Sequence, residues 1–104
     1  MIKTRHVGSS PTITTSSQRI LKRNPSRVAV IFSNLGANTV SIDNIDTVSV
    51  SLGLQLDGNG GLLNFKKKDD GVLPQDEWFG IAGASQQIKV IEIIATEPMK
   101  GGSE

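Results

Sequence analysis

The apolar residues of this chain have the spacing of β-strands. Residues 28–32 are apolar at every position, which is typical of a central strand buried on both faces. Residues 39–43 and 47–56 alternate between polar and apolar side chains, as strands with one buried face do. Further strands are predicted at 18–22, 62–66, 77–82 and 88–96. Because no window shows a helical period, the pattern indicates an all-β protein.

Turn signals separate these strands. Residues 34–38 contain Gly36 and two asparagines, so we expect a β-hairpin that joins 28–32 to 39–43. Gly53 interrupts the alternation of 47–56 and marks a bulge or a loop that crosses between sheets. A glycine-rich turn follows at residues 57–61. Six to eight short strands divided in this way predict a small antiparallel β-sandwich or barrel, of the jelly-roll or immunoglobulin-like kind.

The length of 104 residues matches a single domain with one modest core. Residues 1–18 are rich in Ser and Thr and have few apolar side chains, so we expect a flexible, extended N-terminal arm that orders on a partner. A short strand is expected near residues 12–14 of this arm. The β-sandwich body is predicted at residues 19–97, and a loose C-terminal tail at 98–104.

The net charge of +1 hides an uneven distribution of charge. Residues 1–27 hold six basic residues and no acid, whereas residues 28–104 hold ten acids and five bases. A basic arm on an acidic body is typical of proteins that bind polyanions or acidic protein surfaces, although the charges also serve solubility. The predicted partner-binding residues of the arm and the corner after it are Lys3, Arg5, Arg19, Lys22, Arg23 and Arg27.

An Asn-Pro-Ser-Arg corner precedes the most apolar strand. Pro25 restricts Asn24 to extended geometry, and the Asn24 side chain can bond the local backbone. Arg27 is expected to lie over the sheet edge and to pair with an acid of the body or of a neighbouring molecule. If one face of the strand lies in the core, Ala29 and Ile31 on the other face are predicted to contact another subunit.

Side chains that perform catalysis are scarce. There is no cysteine, and the only histidine is His6, which excludes Ser-His-Asp triads and two-histidine zinc sites. The turn at 57–61 lacks the ligands of a calcium loop. Asp76 and Glu77 are neighbours in a predicted strand and should point to opposite faces, unlike a glycosidase pair. We therefore expect no enzyme activity, no cofactor and no metal.

Trp78 and Phe79 have two interpretations. An aromatic face can stack on a sugar, but in so small a domain large aromatic side chains are expected in the core. With one Trp, three Phe and no Tyr, none of them near the basic arm, sequence-specific nucleic-acid binding is not expected. The chain also has no apolar run long enough for a membrane span and no apolar leader at its start, so neither membrane insertion nor a cleaved leader is expected.

Several motifs, in their order along the chain, resemble a family of small virion proteins of tailed bacteriophages and prophages. In that family an Asn-Pro-x-Arg corner (Asn24 to Arg27 here) leads into an apolar strand that ends in Asn, here Asn34. An Asn-Thr-Val hairpin, a glycine-rich turn and a Glu-Trp strand follow, and here they lie at 38–40, 57–61 and 77–82. The resemblance covers about residues 18 to 96. Ser41 departs from the pattern, because an aromatic residue is frequent at that position.

The resemblance implies a structural protein of the phage particle with no catalytic residue. The expected function is capsid decoration or cement, in which the basic arm binds the major capsid protein of the assembled head. A symmetric homo-oligomer is expected, and a trimer matches the three-fold positions of an icosahedral shell. The expected location is the virion, after assembly in the bacterial cytoplasm. The alternatives are a head–tail accessory protein, a fibre-attachment module, a carbohydrate-binding β-sandwich and, last, a hydrolase.

Overall fold

The structure, a computed structural model, describes residues 3–49 and 53–96. It confirms the all-β prediction, since two antiparallel sheets pack face to face as a sandwich. The strands of these residues are β1 (Thr4–Ser9), β2 (Thr12–Ile13), β3 (Gln18–Leu21), β4 (Arg27–Asn34), β5 (Val40–Asp43), β6 (Leu54–Leu56), β7 (Leu62–Lys66), β8 (Trp78–Ala82) and β9 (Gln86–Ala95). A four-residue helix, α1 (Lys67–Asp70), and a 3-10 turn at Leu73–Gln75 connect β7 to β8.

The first sheet has the strand order β1-β9-β4-β7, and β2 continues the edge of β1 along β9. The second sheet has the order β3-β8-β5-β6. Strand β4 is central, as predicted, because it pairs with β9 on one side and β7 on the other. Its burial alternates along most of its length, so its outward face is only half-buried within the chain.

The core lies between the sheets and is centred on Trp78 of β8. The Trp78 ring is fully buried and stacks on Phe65 of β7, with ring centroids 5.0 Å apart. It also meets Phe32 of β4 at a tilt, with centroids 5.2 Å apart. The predicted inward residues Val40 and Ile42 are both fully buried. Aromatic contacts across the two layers therefore join the sheets, and the preference for Trp78 as a core residue is confirmed.

The predicted hairpin between β4 and β5 is wrong, because these strands belong to different sheets. Residues 35–39 form an arch over the end of the sandwich. The buried Asn34 amide holds this arch, since its nitrogen donates to the carbonyl oxygens of Asn38 and Leu56 at 2.7 and 2.9 Å. Its side-chain oxygen accepts from the Gly36 N–H at 3.0 Å. The Asn and Gly signals thus mark a chain reversal correctly, but the reversal changes sheets.

The glycine-rich turn at 57–61 is a second crossing, from β6 in the second sheet to β7 in the first. It packs against the first arch through two backbone hydrogen bonds. Asn59 N–H donates to the Gly36 carbonyl oxygen at 2.7 Å, and Gly60 N–H donates to the Asn34 backbone carbonyl oxygen at 2.8 Å. A Cβ at Gly58 would lie 2.2 Å from the Ala37 carbonyl oxygen, so only glycine fits between the two arches.

The N-terminal segment has a partner within the chain. The sequence predicts a flexible arm at 1–18, but residues 4–9 pair with β9 along the edge of the first sheet, and residues 12–13 follow on the same edge. Ile13 is fully buried in the core, which anchors β2. The edge of β9 explains this difference, because its unpaired N–H and C=O groups favour a further strand.

Two predicted segments fall partly or wholly outside the described residues. Of the long strand expected at 47–56, the structure shows β6 at Leu54–Leu56, and residues 50–52 lie outside the description. Gly53 has a φ of 104°, which suits an irregular position rather than a continuous strand. The tail expected at 98–104 also lies outside the described residues.

Candidate interaction surfaces

Arg27, predicted to bind a partner, is an internal residue and is only 2% exposed. Its Nε donates to Glu92 of β9 at 2.9 Å, and its Nη2 lies 2.8 Å from the same carboxylate oxygen. The remaining guanidinium bonds go to backbone carbonyl oxygens of Lys22, Pro74 and Asp76 at 2.9 to 3.1 Å. A partner-binding role for Arg27 is therefore wrong, because its donors are already used inside the molecule. Its pairing with an acid of the body is what the structure shows.

The Asn24–Pro25 corner is held by the same network. Asn24 N–H donates to the Gln75 carbonyl at 2.9 Å, and its side-chain oxygen accepts from Ser26 N–H at 2.9 Å. Since Arg27 also holds the Lys22 carbonyl, both sides of the corner are tied to the 3-10 turn and to β9. The chain between β3 and β4 therefore has a defined path, on which Lys22 and Arg23 are exposed.

Four of the predicted basic residues gather at this end of the sandwich, and we call Lys3, Arg5, Lys22 and Arg23 the basic end. All four are exposed. Arg5 shares a cross-strand row with Ile94 and Arg27, and the Lys3 carbonyl accepts from Thr96 N–H at 2.9 Å. Two segments that are separate in the sequence thus place positive charge at one end of the fold.

Arg19 lies apart from the basic end. It is in β3, opposite Phe79 of β8, and its Nη1 lies 3.7 Å from a Glu77 carboxylate oxygen. Both side chains of this pair are close to half exposed. Arg19 therefore belongs to the outward side of the second sheet, where its charge is offset by that of Glu77.

Ala29 and Ile31, which were predicted to contact another subunit, lie on an apolar surface on the outward side of the first sheet. Ala29 lies opposite Ile93, and Ile31 lies opposite Ile91. On the other side of β4, Ser33 lies opposite Leu62, which is 57% exposed. We call this surface the outer face, and its apolar residues are Ala29, Ile31, Leu62, Ile91 and Ile93.

The border of the outer face is basic. Lys66 ends the row of Ala29 and Ile93, and His6 lies at the other end of that row. Lys89 lies opposite Ser33, and its ammonium group reaches over β1, within 3.3 Å of where a Gly8 Cβ would stand. No acid occupies the outward positions of the paired rows at residues 6–8, 29–33, 62–66 and 89–93, because Glu92 points inward to Arg27.

Sequence reasoning missed three of the five apolar residues of the outer face. Ile91, Ile93 and Leu62 were assigned to strands but not to this surface. A signal for two of them was present, since residues 90–94 are apolar at all positions except Glu92, like residues 28–32. Two strands that are apolar on both faces and pair with each other predict an apolar patch outside the core.

The structure also bears on sugar stacking, metal binding and membrane spans. Trp78 is fully buried, so it cannot serve as a sugar-stacking platform. Among the residues described, no group of three or more His, Cys, Asp or Glu side chains could hold a metal ion. Within residues 3–49 and 53–96, no helix has the length and apolar character needed to span a membrane. The described residues thus form a β-sandwich with a basic end and an apolar outer face.

Comparison with family models, curated proteins and solved structures finds no match to this chain. The resemblance to phage virion proteins rests on the sequence motifs alone.

Proposed function

We propose that this chain is a non-enzymatic structural protein of a tailed-phage particle, a capsid decoration or cement protein that binds the assembled head. In this proposal the basic end binds an acidic surface of the major capsid protein, and the protein acts in the virion as a symmetric homo-oligomer. A trimer is the form that fits three-fold positions of a shell. The observation that carries the proposal is the gathering of exposed basic side chains from two chain segments at one end of the sandwich.

The buried Arg27–Glu92 pair supports this role for the neighbouring charges. Because Arg27 is neutralised inside, the positive charge that a partner meets comes from Arg5, Lys22 and Arg23 on the surface. The corner that carries Lys22 and Arg23 is held by hydrogen bonds to its backbone, so these two side chains extend from a defined chain path. Preorganised charges raise the rate and specificity of association with a surface of opposite charge.

Binding of the purified protein to heads that lack it tests the proposal. The variant Arg5→Ser/Lys22→Ser/Arg23→Ser is expected to bind about 3- to 150-fold more weakly than the wild type, since exposed charge pairs contribute about 0.2–1 kcal/mol each. Wild-type binding should weaken as salt rises. Co-sedimentation at several protein concentrations gives the dissociation constant.

The design of the variant follows from the fold. Deletion of residues 1–18 would remove Ile13 from the core, so it would test stability rather than binding. Arg19→Ser is the matched control, because it removes a basic residue of the same sequence region that lies away from the basic end. Equal, salt-independent binding of the triple variant and the wild type would contradict the role of the basic end.

A further inference from the structure

We propose that the outer face is a docking surface for a second protein whose matching surface is apolar at its centre and acidic at its border. This inference rests on the proposed function and gives the chemistry of the capsid surface that the protein binds. It assigns an additional contact, separate from the basic end, to the side of the first sheet.

The apolar centre of the outer face is the first support. In β4 and β9, isoleucine and alanine side chains stand next to one another in two successive cross-strand rows, with Ile31 opposite Ile91 and Ala29 opposite Ile93. They are half-buried by their neighbours in the sheet, and no layer of the described chain packs over them. Outward positions of a sheet that faces water are usually polar, so contiguous apolar residues there indicate a contact surface.

The charge at the border selects the partner. Lys66 and Lys89 flank the apolar rows, and His6 stands at the β1 end. The outward positions of these rows contain no acid, so the face attracts a surface that carries carboxylates at matching positions. A border charge of one sign both favours an acidic partner and disfavours a basic one.

The same charges argue against a second copy of this chain on the outer face. A two-fold dimer would bring two identical faces together, and their paired rows would contribute four outward lysines and no outward acid. Like charges placed across an interface oppose association. Single-stranded nucleic acid is also disfavoured, because the face carries no Trp, Tyr or Phe on which bases could stack.

Two double variants separate the contributions of apolar contact and of charge to binding by the outer face. Ile31→Thr/Ile91→Thr removes apolar surface and keeps β-branched side chains in both strands. Lys66→Glu/Lys89→Glu reverses the border charge without changing the apolar centre. The matched controls are Ile81→Thr, which alters a half-buried isoleucine on the outward side of β8, and Arg19→Glu, which reverses an exposed charge in β3 away from both surfaces. Circular dichroism confirms that each variant is folded.

Each variant is measured for binding to heads that lack the protein, and for self-association by analytical ultracentrifugation. We expect each double variant to bind heads at least about tenfold more weakly than the wild type. The isoleucine variant loses apolar contact, and the lysine variant loses charge complementarity. The controls are expected to bind like the wild type, and the self-association of the double variants is expected to be unchanged.

The remaining outcomes overturn the inference in distinguishable ways. If both double variants bind heads like the wild type while the basic-end variant is weakened, the outer face is not a docking surface and the proposed function stands. If Ile31→Thr/Ile91→Thr abolishes self-association and charge reversal has no effect on head binding, a second copy occupies the face. If the wild type binds single-stranded DNA, and Lys66→Glu/Lys89→Glu loses that binding while head binding is unchanged, the partner of the outer face is a nucleic acid. If the wild type does not bind heads, the proposed function fails and this inference fails with it.

Discussion

Trp78→Ala is expected to lower the free energy of unfolding by about 3–5 kcal/mol, the range for truncation of a large aromatic side chain in a core. The Trp78 ring is fully buried and contacts Phe65 and Phe32 of the opposite sheet. Its Nε1–H also donates to the Leu73 carbonyl at 3.1 Å, which ties β8 to the 3-10 turn. Alanine would leave a cavity between the sheets and remove both aromatic contacts.

Urea denaturation measures this loss. Unfolding is followed by circular dichroism rather than by tryptophan fluorescence, because the variant lacks the only tryptophan of the chain. Phe79→Ala is the control, since Phe79 is the next residue in β8 but lies on the outward side and is only half-buried. It should cost clearly less than Trp78→Ala. Equal losses for the two variants would show that Trp78 is not the centre of the core.

Arg27→Ala is expected to destabilise the protein by about 3–5 kcal/mol, because removal of one partner leaves the other charge buried and unpaired. The Glu92 side chain is 13% exposed and would lose the guanidinium that neutralises it. Three backbone carbonyl oxygens, of Lys22, Pro74 and Asp76, would lose their donor as well. We therefore expect the corner between β3 and β4 to loosen together with β9.

Arg19→Ala is the matched control for Arg27→Ala. Its pair with Glu77 has side chains 49% and 44% exposed, and exposed pairs contribute about 0–1 kcal/mol. Thermal and urea unfolding of the two variants gives the comparison. If Arg27→Ala were as stable as Arg19→Ala, the guanidinium would have no structural role, and its availability to a partner would have to be reconsidered.

The strands themselves could be predicted from the sequence because alternation and apolar runs are local. Residues 62–66 and 77–82 match β7 and β8 almost residue for residue, and the central place of β4 follows from its apolar run. The connection after β4 could not be predicted in the same way. Asn34 and Gly36 signal a reversal, but whether the next strand pairs or crosses depends on contacts between distant residues, and the hydrogen bond from the Asn34 amide to the Leu56 carbonyl, 22 residues away, is one of them.

The interaction surfaces were predictable in part. Ala29 and Ile31 follow from one apolar run, but the complete outer face needs the register of β4 on β9, which is a non-local property. The burial of Arg27 is also a non-local property that the sequence could not predict. Its partner Glu92 is 65 residues away, so the sequence could indicate a pairing with an acid but not the burial that removes Arg27 from the surface.

The copy number of this protein in purified phage particles tests the proposed function most directly. Quantitative mass spectrometry of particles from a culture that carries the gene gives its ratio to the major capsid protein. A decoration or cement protein occupies many equivalent sites, so a ratio near parity is expected. A few copies per hundred capsid proteins would instead indicate a vertex, head–tail or fibre position, and absence from the particles would contradict a virion role altogether.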